Sequence, residues 1–236
     1  MRIVFLDIDG VLQPTWSRNR FEHINEIEDV ARQLEAKNPD YEYYAYVTAE
    51  QGPHGAPYSQ NIRRYNFAAV YFDWSKSAVD YLADILEKSD AKIVISSDWR
   101  DEGEYAVKMF LSVYGLDKYY YGLVDASYHV WVGDSYALRD FPRQKQVEKY
   151  FYSIRPEGQY FDSRASEIRD YLDQHPEVTS YVAIDDRRLG FPVEGHFVHV
   201  RHGELGAEDC KLAKTLLQQE DGPYLLPKEI FETTEI

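Results

Sequence analysis

Cysteine is nearly absent: Cys210 is the single one among 236 residues. That excludes an intrachain disulfide framework and any zinc site built on thiolates. It also points to a reducing compartment, so a cytoplasmic location is expected. Long apolar runs are missing too, and nothing approaches the ~18 residues that span a bilayer. The first apolar stretch, Ile3-Val4-Phe5-Leu6, stops at Asp7, too soon for a signal peptide. Neither a membrane partner nor export is expected. Positive charge is scarce as well, with 41 acidic against 26 basic side chains and a formal charge of −15. A surface that binds nucleic acid broadly through its phosphates needs the opposite balance, so no extended nucleic-acid-binding surface is expected. A local site for one phosphate is compatible, because a bound cation inverts the field around acidic groups.

What is present is a repeated strand grammar. Ile3 to Leu6 is a β-branched and apolar run that ends in Asp7-Ile8-Asp9-Gly10, which reads as a strand buried on both faces and closed by a glycine turn. Lys92-Ile93-Val94-Ile95 ends in Ser96-Ser97-Asp98, Tyr181-Val182-Ala183-Ile184 in Asp185-Asp186, and Phe197-Val198-His199-Val200 in Arg201-His202-Gly203. Between them lie helical spacings: Val79, Leu82 and Leu86; Ile168, Tyr171 and Leu172; Cys210, Ala213, Leu216 and Leu217. Helix and buried strand in alternation predict crossover units, hence an α/β fold with a Rossmann-like parallel sheet and helices on both faces. Ligands of such sheets bind beyond the carboxyl ends of the strands, where the polar closing residues would meet.

Residues 13–74 break the alternation. They hold one helical spacing (Ile24, Ile27, Ala31, Leu34), a Tyr-rich run and the loop Gly52-Pro53-His54-Gly55-Ala56-Pro57. The domain reading is a core of residues 1–12 and 75–221, a cap-like insertion over 13–74, and a C-terminal extension over 222–236 on the surface. A second irregular stretch, from Gly115 to Asp162, carries Tyr119-Tyr120-Tyr121 and Trp131 without a clean period.

Four carboxylates at two strand ends, Asp7 and Asp9 on the first and Asp185 and Asp186 on the third, would repel one another if the sheet brought them together. They need a cation. All-oxygen ligation selects a hard ion, and Mg²⁺ is the one that keeps waters and leaves room for a phosphate.

Phe5-Leu6-Asp7-Ile8-Asp9-Gly10-Val11-Leu12 resembles the first motif of the haloacid dehalogenase (HAD) superfamily of phosphotransferases. Ile93-Val94-Ile95-Ser96 resembles the second, and Val182-Ala183-Ile184-Asp185-Asp186 is similar to the fourth. Asp-x-Asp-Gly alone is weak, because calcium loops and plain turns use it too; three strand-terminal motifs in order are strong together. Ile95 to Arg100, Arg164 to Leu172 and Gly203 to Asp209 resemble more narrowly the branch named for "Swiss Army Knife" RNA-repair proteins. The resemblance covers residues 1–12 and 72–217.

It implies a Mg²⁺-dependent phosphomonoester hydrolase working through an aspartyl-phosphate. Asp7 would be the nucleophile, and Asp9 the acid that protonates the leaving oxygen and then activates water. Asp7 and Asp185 would ligate the metal, Asp9 through its backbone carbonyl, with Asp186 in support. Ser96 would bind the phosphoryl oxygens. The third motif, usually a lysine, aligns with Arg164, and Lys145 or Arg143 is the alternative for that role. The substrate is expected to be a small-molecule phosphate ester, a nucleotide or a nucleic-acid terminal phosphate. A non-catalytic phosphate- or metal-binding module is the alternative, against which the intact Asp7 and Asp9 pair speaks. A receiver domain needs only ~120 residues and no second carboxylate two positions on.

Other residues have plainer readings. Trp99 reads as packing before a ligand contact for it and Arg100, and Tyr119-Tyr120-Tyr121 and Trp131 as packing before base stacking. His54, His199 and His202 lack ligand partners at metal spacing, and Cys210 reads as core.

Overall fold

The protein is described here by a computed structural model covering residues 1–49, 59–124, 129–132, 135–138 and 142–231. His54 with its 52–57 loop, and the side chain of Trp131, lie outside the described residues.

Ile3, Val4, Phe5 and Leu6 are each fully buried, which is why β1 (Arg2–Leu6) lies at the centre of the sheet. It pairs in parallel with β2 (Ala91–Ile95) on one side. β3 (Tyr120–Leu123) lies beyond β2. A separate antiparallel pair is formed by β4 (His129–Val132) and β5 (Ser135–Leu138). On its other side β1 pairs with β6 (Ser180–Asp185), and β7 (Phe197–His199) lies beyond β6. The order β3-β2-β1-β6-β7, parallel throughout, bears out the expected α/β architecture. The four strands read from the sequence are all present. The unread strand of this sheet, β3, is a half-exposed edge strand whose residues Tyr120 to Leu123 lack both a buried run and a clean alternation, and the β4–β5 pair was unread as well.

Side chains alternate along each strand. Val4, Leu6, Ile93, Ile95, Val182 and Ile184 point to one face, and Ile3, Phe5, Val94, Tyr181 and Ala183 to the other. The insertion supplies α1 (Asn19–His23), α2 (Ile27–Lys37), α3 (Tyr43–Thr48) and α4 (Ser59–Ala68). They are followed by α5 (Lys76–Ser89) and α6 (Glu104–Ser112), and later by α7 (Pro142–Ile154), α8 (Ser163–Gln174) and α9 (Ala207–Leu216). Leu82 and Leu86 of α5, Phe110 of α6 and Cys210 and Ala213 of α9 cover the first face. Ala165, Ile168 and Leu172 of α8 cover the second, with α7 against α8.

Residues 13–74 do not stand clear of this core. Ile27, Ala31, Tyr43, Tyr46, Val47 and Phe67 belong to the same apolar cluster as Phe110 and Leu82. Burying such side chains is worth about 1.5–3 kcal/mol each, so the insertion is anchored by its own apolar face. The C-terminal segment also differs from the surface tail expected of it. Tyr224 packs edge-on to Tyr181 at 4.8 Å, Leu226 joins Val147 and Phe151, and the Leu226 amide donates to Asp173 Oδ1 at 2.7 Å. No helix of the described residues is long and apolar enough to cross a membrane.

Candidate active site

Parallel register aligns Leu6 with Ile95 on one side and with Ile184 on the other. The next residues along, Asp7, Ser96 and Asp185, therefore lie side by side at the carboxyl edge, on the face covered by α8. The Asp7 amide continues the pairing by donating to the Ile184 carbonyl at 3.0 Å, and the Ser96 amide donates to the Leu6 carbonyl at 3.0 Å. Asp7 and Asp185 are both buried. One oxygen each from Asp7, Asp185 and Asp186 lies within 4.8 Å of the others. Gly10 explains part of this closeness. Its φ is +73°, and a Cβ there would lie 2.1 Å from Asp186 Oδ2, so only glycine lets the turn after β1 pass so near that carboxylate.

Arg164 enters from the first turn of α8, where Asp162 caps the helix by accepting from the Arg164 amide at 3.0 Å. Its Nη1 stands 3.1 Å from Asp7 Oδ1 and 2.8 Å from Asp185 Oδ2, and its Nη2 donates to Asp98 Oδ1 at 3.1 Å. Of the three basic residues considered for the third motif, Arg164 is the one that reaches the carboxylates. Arg143 binds Asp170 and Asp173 instead, and Lys145 is exposed on α7.

The electrostatics show what one arginine leaves undone. Burial, reinforced by Asp185, pushes the Asp7 carboxyl well above the usual carboxylate range. Arg164, the Ser97 hydroxyl and the Ile8 amide oppose it without cancelling it. Asp185 is raised by burial against the pull of Arg164, and Asp186 by burial and by Asp9. Burial also works against the Arg164 charge, but Asp7, Asp185 and Asp98 outweigh it and hold the guanidinium protonated. Three carboxylates, two buried and one half-buried, facing a single guanidinium are an oxygen-only donor set short of positive charge, which fits a hard divalent cation.

The Asp9 side chain stands apart from the other three carboxylates. Its carboxylate is exposed and lies outside the acidic trio. Oδ1 accepts from Gln13 Nε2 at 3.0 Å and Oδ2 from Trp99 Nε1 at 3.0 Å. Gln13 Oε1 accepts in turn from Arg20 Nη1 at 3.4 Å, and Arg20 Nε is 3.0 Å from Asp73 Oδ2. The insertion thus reaches the carboxylate through a chain of polar side chains. The reason is chain direction: the turn after Asp7 carries the side chain two positions on away from α8 and toward the insertion.

Reading strand ends in isolation missed several neighbours. The Ser97 hydroxyl bonds Asp7 and also accepts from the Trp99 amide at 3.5 Å, capping the short 3₁₀ turn Asp98–Glu102. Ser96 is buried beside Asp7, and its carbonyl accepts from Arg100 Nη1 at 3.0 Å. Arg100 also pairs with the buried Glu167 at 3.1 Å, so it braces the loop after β2. Trp99 packs edge-on to Phe110 at 5.6 Å while its N–H serves Asp9. His199 Nε2 lies 3.0 Å from the Asp186 carbonyl, not its carboxylate, and Cys210 is buried as expected. The run Ser96-Ser97-Asp98-Trp99-Arg100 was visible as polar strand closure, but nothing in it told which side chain turns inward.

Comparison with known families agrees with this geometry. A family model described as the HAD domain in Swiss Army Knife RNA repair proteins matches residues 3–208, insertion included. No curated protein and no solved structure matches the chain.

Proposed function

The chain belongs to the family of HAD domains found in Swiss Army Knife RNA repair proteins, and from that footing we propose that it is a Mg²⁺-dependent phosphomonoester hydrolase acting through an aspartyl-phosphate. The observation that carries this reading is the convergence of Asp7, Asp185 and Arg164 at a buried strand edge, with Asp9 held separately by Gln13 and Trp99.

Asp7, Asp185 and Asp186 are the side chains that would hold the ion. Bound Mg²⁺ would supply positive charge to the phosphoryl oxygens and favour the ionised form of Asp7. Asp7 attacks phosphorus, an Asp7 oxygen–phosphorus bond forms, and the ester phosphorus–oxygen bond breaks. Asp9, as general acid, gives a proton to the departing alcohol oxygen. Water then attacks phosphorus while Asp9 takes its proton, the Asp7–phosphate bond breaks, and inorganic phosphate leaves. Splitting the displacement into two steps is the usual gain of covalent catalysis. Arg164 holds positive charge at Asp7 throughout, and Ser96 and Ser97 stand beside the nucleophile as candidate phosphate ligands. The two aspartates have separate environments: Asp7 lies buried among Arg164, Asp185 and Asp186, and Asp9 faces solvent outside that cluster.

A small-molecule phosphate ester or a nucleic-acid terminal phosphate can present the required monoester. Hydrolysis of p-nitrophenyl phosphate with Mg²⁺ by the wild-type protein and by Asp7→Asn tests the reading. Turnover in the wild type and its loss in the variant are expected. Undiminished activity in Asp7→Asn would remove the nucleophile assignment. Absent turnover with measurable Mg²⁺ binding by calorimetry would favour a non-catalytic phosphate- or metal-binding module.

A further inference from the structure

Beyond the Asp9 carboxylate opens a cavity of about 340 Å³ between the 3₁₀ turn after β2 and helix α4 of the insertion. Four carboxylates line it, those of Asp9, Asp98, Asp101 and Glu102, together with the rings of Trp99 and Tyr65. Arg20 is the one cation of the lining, and the fully buried Asp73 side chain pairs with it at 3.0 Å. Glu102 keeps its place by accepting from Asn66 Nδ2 at 2.7 Å and Tyr46 Oη at 2.5 Å. Asp98 faces solvent with 79% of its side chain exposed, while one oxygen meets Arg164.

The position of this cavity gives it a chemical task. Asp9 protonates the leaving oxygen, so whatever that oxygen is attached to extends past Asp9 into the space beyond. We infer that this cavity receives the alcohol portion of the substrate, and that its acidic wall selects monophosphate esters of uncharged, polar, ring-bearing alcohols, such as sugars or nucleosides, over phosphates carried on a polyanionic strand. The inference rests on the hydrolase reading above. Trp99 and Tyr65, the latter with the Arg20 guanidinium 4.5 Å from its ring centre, give the cavity an aromatic wall against which a sugar or base can pack, and the carboxylates and the Asn66 and Gln13 amides offer hydrogen-bond partners to hydroxyl groups. A second phosphate on the alcohol would bring further negative charge among four carboxylates, and the repulsion acts within a Debye length of about 10 Å. A cavity lined by Arg188 and Arg201 together with Glu194 lies elsewhere and shares no residue with this one.

Three probes that share one scissile 5′ phosphoester, whose cleavage is followed separately from any loss of the 3′ phosphate, test the inference: a nucleoside 5′-monophosphate, the corresponding 3′,5′-bisphosphate and a 5′-phosphorylated oligonucleotide. Their kcat/KM values are to be measured with saturating Mg²⁺ at low and high NaCl. At low salt the monophosphate is expected to exceed the bisphosphate by about tenfold, as repulsion from several carboxylates predicts, and the gap to narrow in high salt. Asp101→Asn and Glu102→Gln should each move the ratio toward one. Equal or faster turnover of the bisphosphate or the oligonucleotide at low salt would overturn the inference and make a nucleic-acid end the better substrate class. A ratio indifferent to both salt and the two variants would overturn it as well. Hydrolysis of p-nitrophenyl phosphate in the same preparation separates the two levels: its absence removes the hydrolase reading, and the inference with it, whereas its presence isolates a failure to the cavity.

Discussion

Arg164 Nη1 stands 3.1 Å from Asp7 Oδ1 in a site that is almost closed to solvent. The same nitrogen lies 2.8 Å from Asp185 Oδ2, so one guanidinium bridges the ends of β1 and β6. A lysine ammonium is a point charge on a flexible stem and cannot also fork to Asp98. The arginine therefore ties together three loops that the sheet brings side by side.

Removing that bridge leaves two buried carboxylates facing each other without a counter-charge. Arg164→Ala should lose about 3–5 kcal/mol of stability, the range for breaking a buried pair by deleting one partner. Added Mg²⁺ should recover part of it. Urea denaturation with and without the ion checks both statements; equal stability of variant and wild type would show that the bridge contributes nothing.

Metal-free protein should weaken as pH rises. Asp7, Asp185 and Asp186 have folded-state pKa values raised above those of the unfolded chain. Below the unfolded value, about 4, both states are protonated and nothing is lost; as pH climbs through the raised folded values, the unfolded chain ionises more readily and stability falls. Mg²⁺ favours the ionised folded form, so the increase in Tm that it produces should grow from pH 5 to pH 8, a span of about the size that such raised carboxyls cover. A Tm increment that is flat with pH would contradict the assigned carboxylate cluster.

The two N–H donors on Asp9 should act on proton transfer in addition to lining the alcohol cavity. Gln13→Ala and Trp99→Phe each remove one of them and loosen the carboxylate. Alkyl phosphates, whose alcohols leave only when protonated, should lose about ten- to a hundredfold in kcat, within the usual contribution of general acid catalysis. p-Nitrophenyl phosphate, whose leaving group needs little protonation, should fall far less. Equal losses on both substrates would mean that the pair acts on the fold and not on Asp9.

Much of the architecture was legible because strand and helix signals are local. Ile3 to Leu6, Lys92 to Ile95, Tyr181 to Ile184 and Phe197 to Val200 advertise themselves as buried strands, and β1, β2, β6 and β7 stand there. Edge strand β3 was not legible, since a half-exposed Tyr-rich segment carries no such signal. Nor was the burial of Tyr224 and Leu226, which depends on a surface offered by α7, α8 and Tyr181 rather than on any pattern within the tail.

The chemistry divides along the same line. Asp7, Asp9, Asp185 and Asp186 could be singled out from the chain alone, because acidic residues closing apolar runs are conspicuous in one dimension. Tertiary structure decided their partners. Arg164 meets Asp7 across more than 150 positions of sequence, Ser97 and not only Ser96 attends Asp7, and Asp9 turns to Gln13 and Trp99 instead of joining the acidic trio. The physical reason is that side-chain identity is written residue by residue. Orientation and proximity come from parallel register, helix docking and the tight passage at Gly10, which exist only once the sheet has assembled.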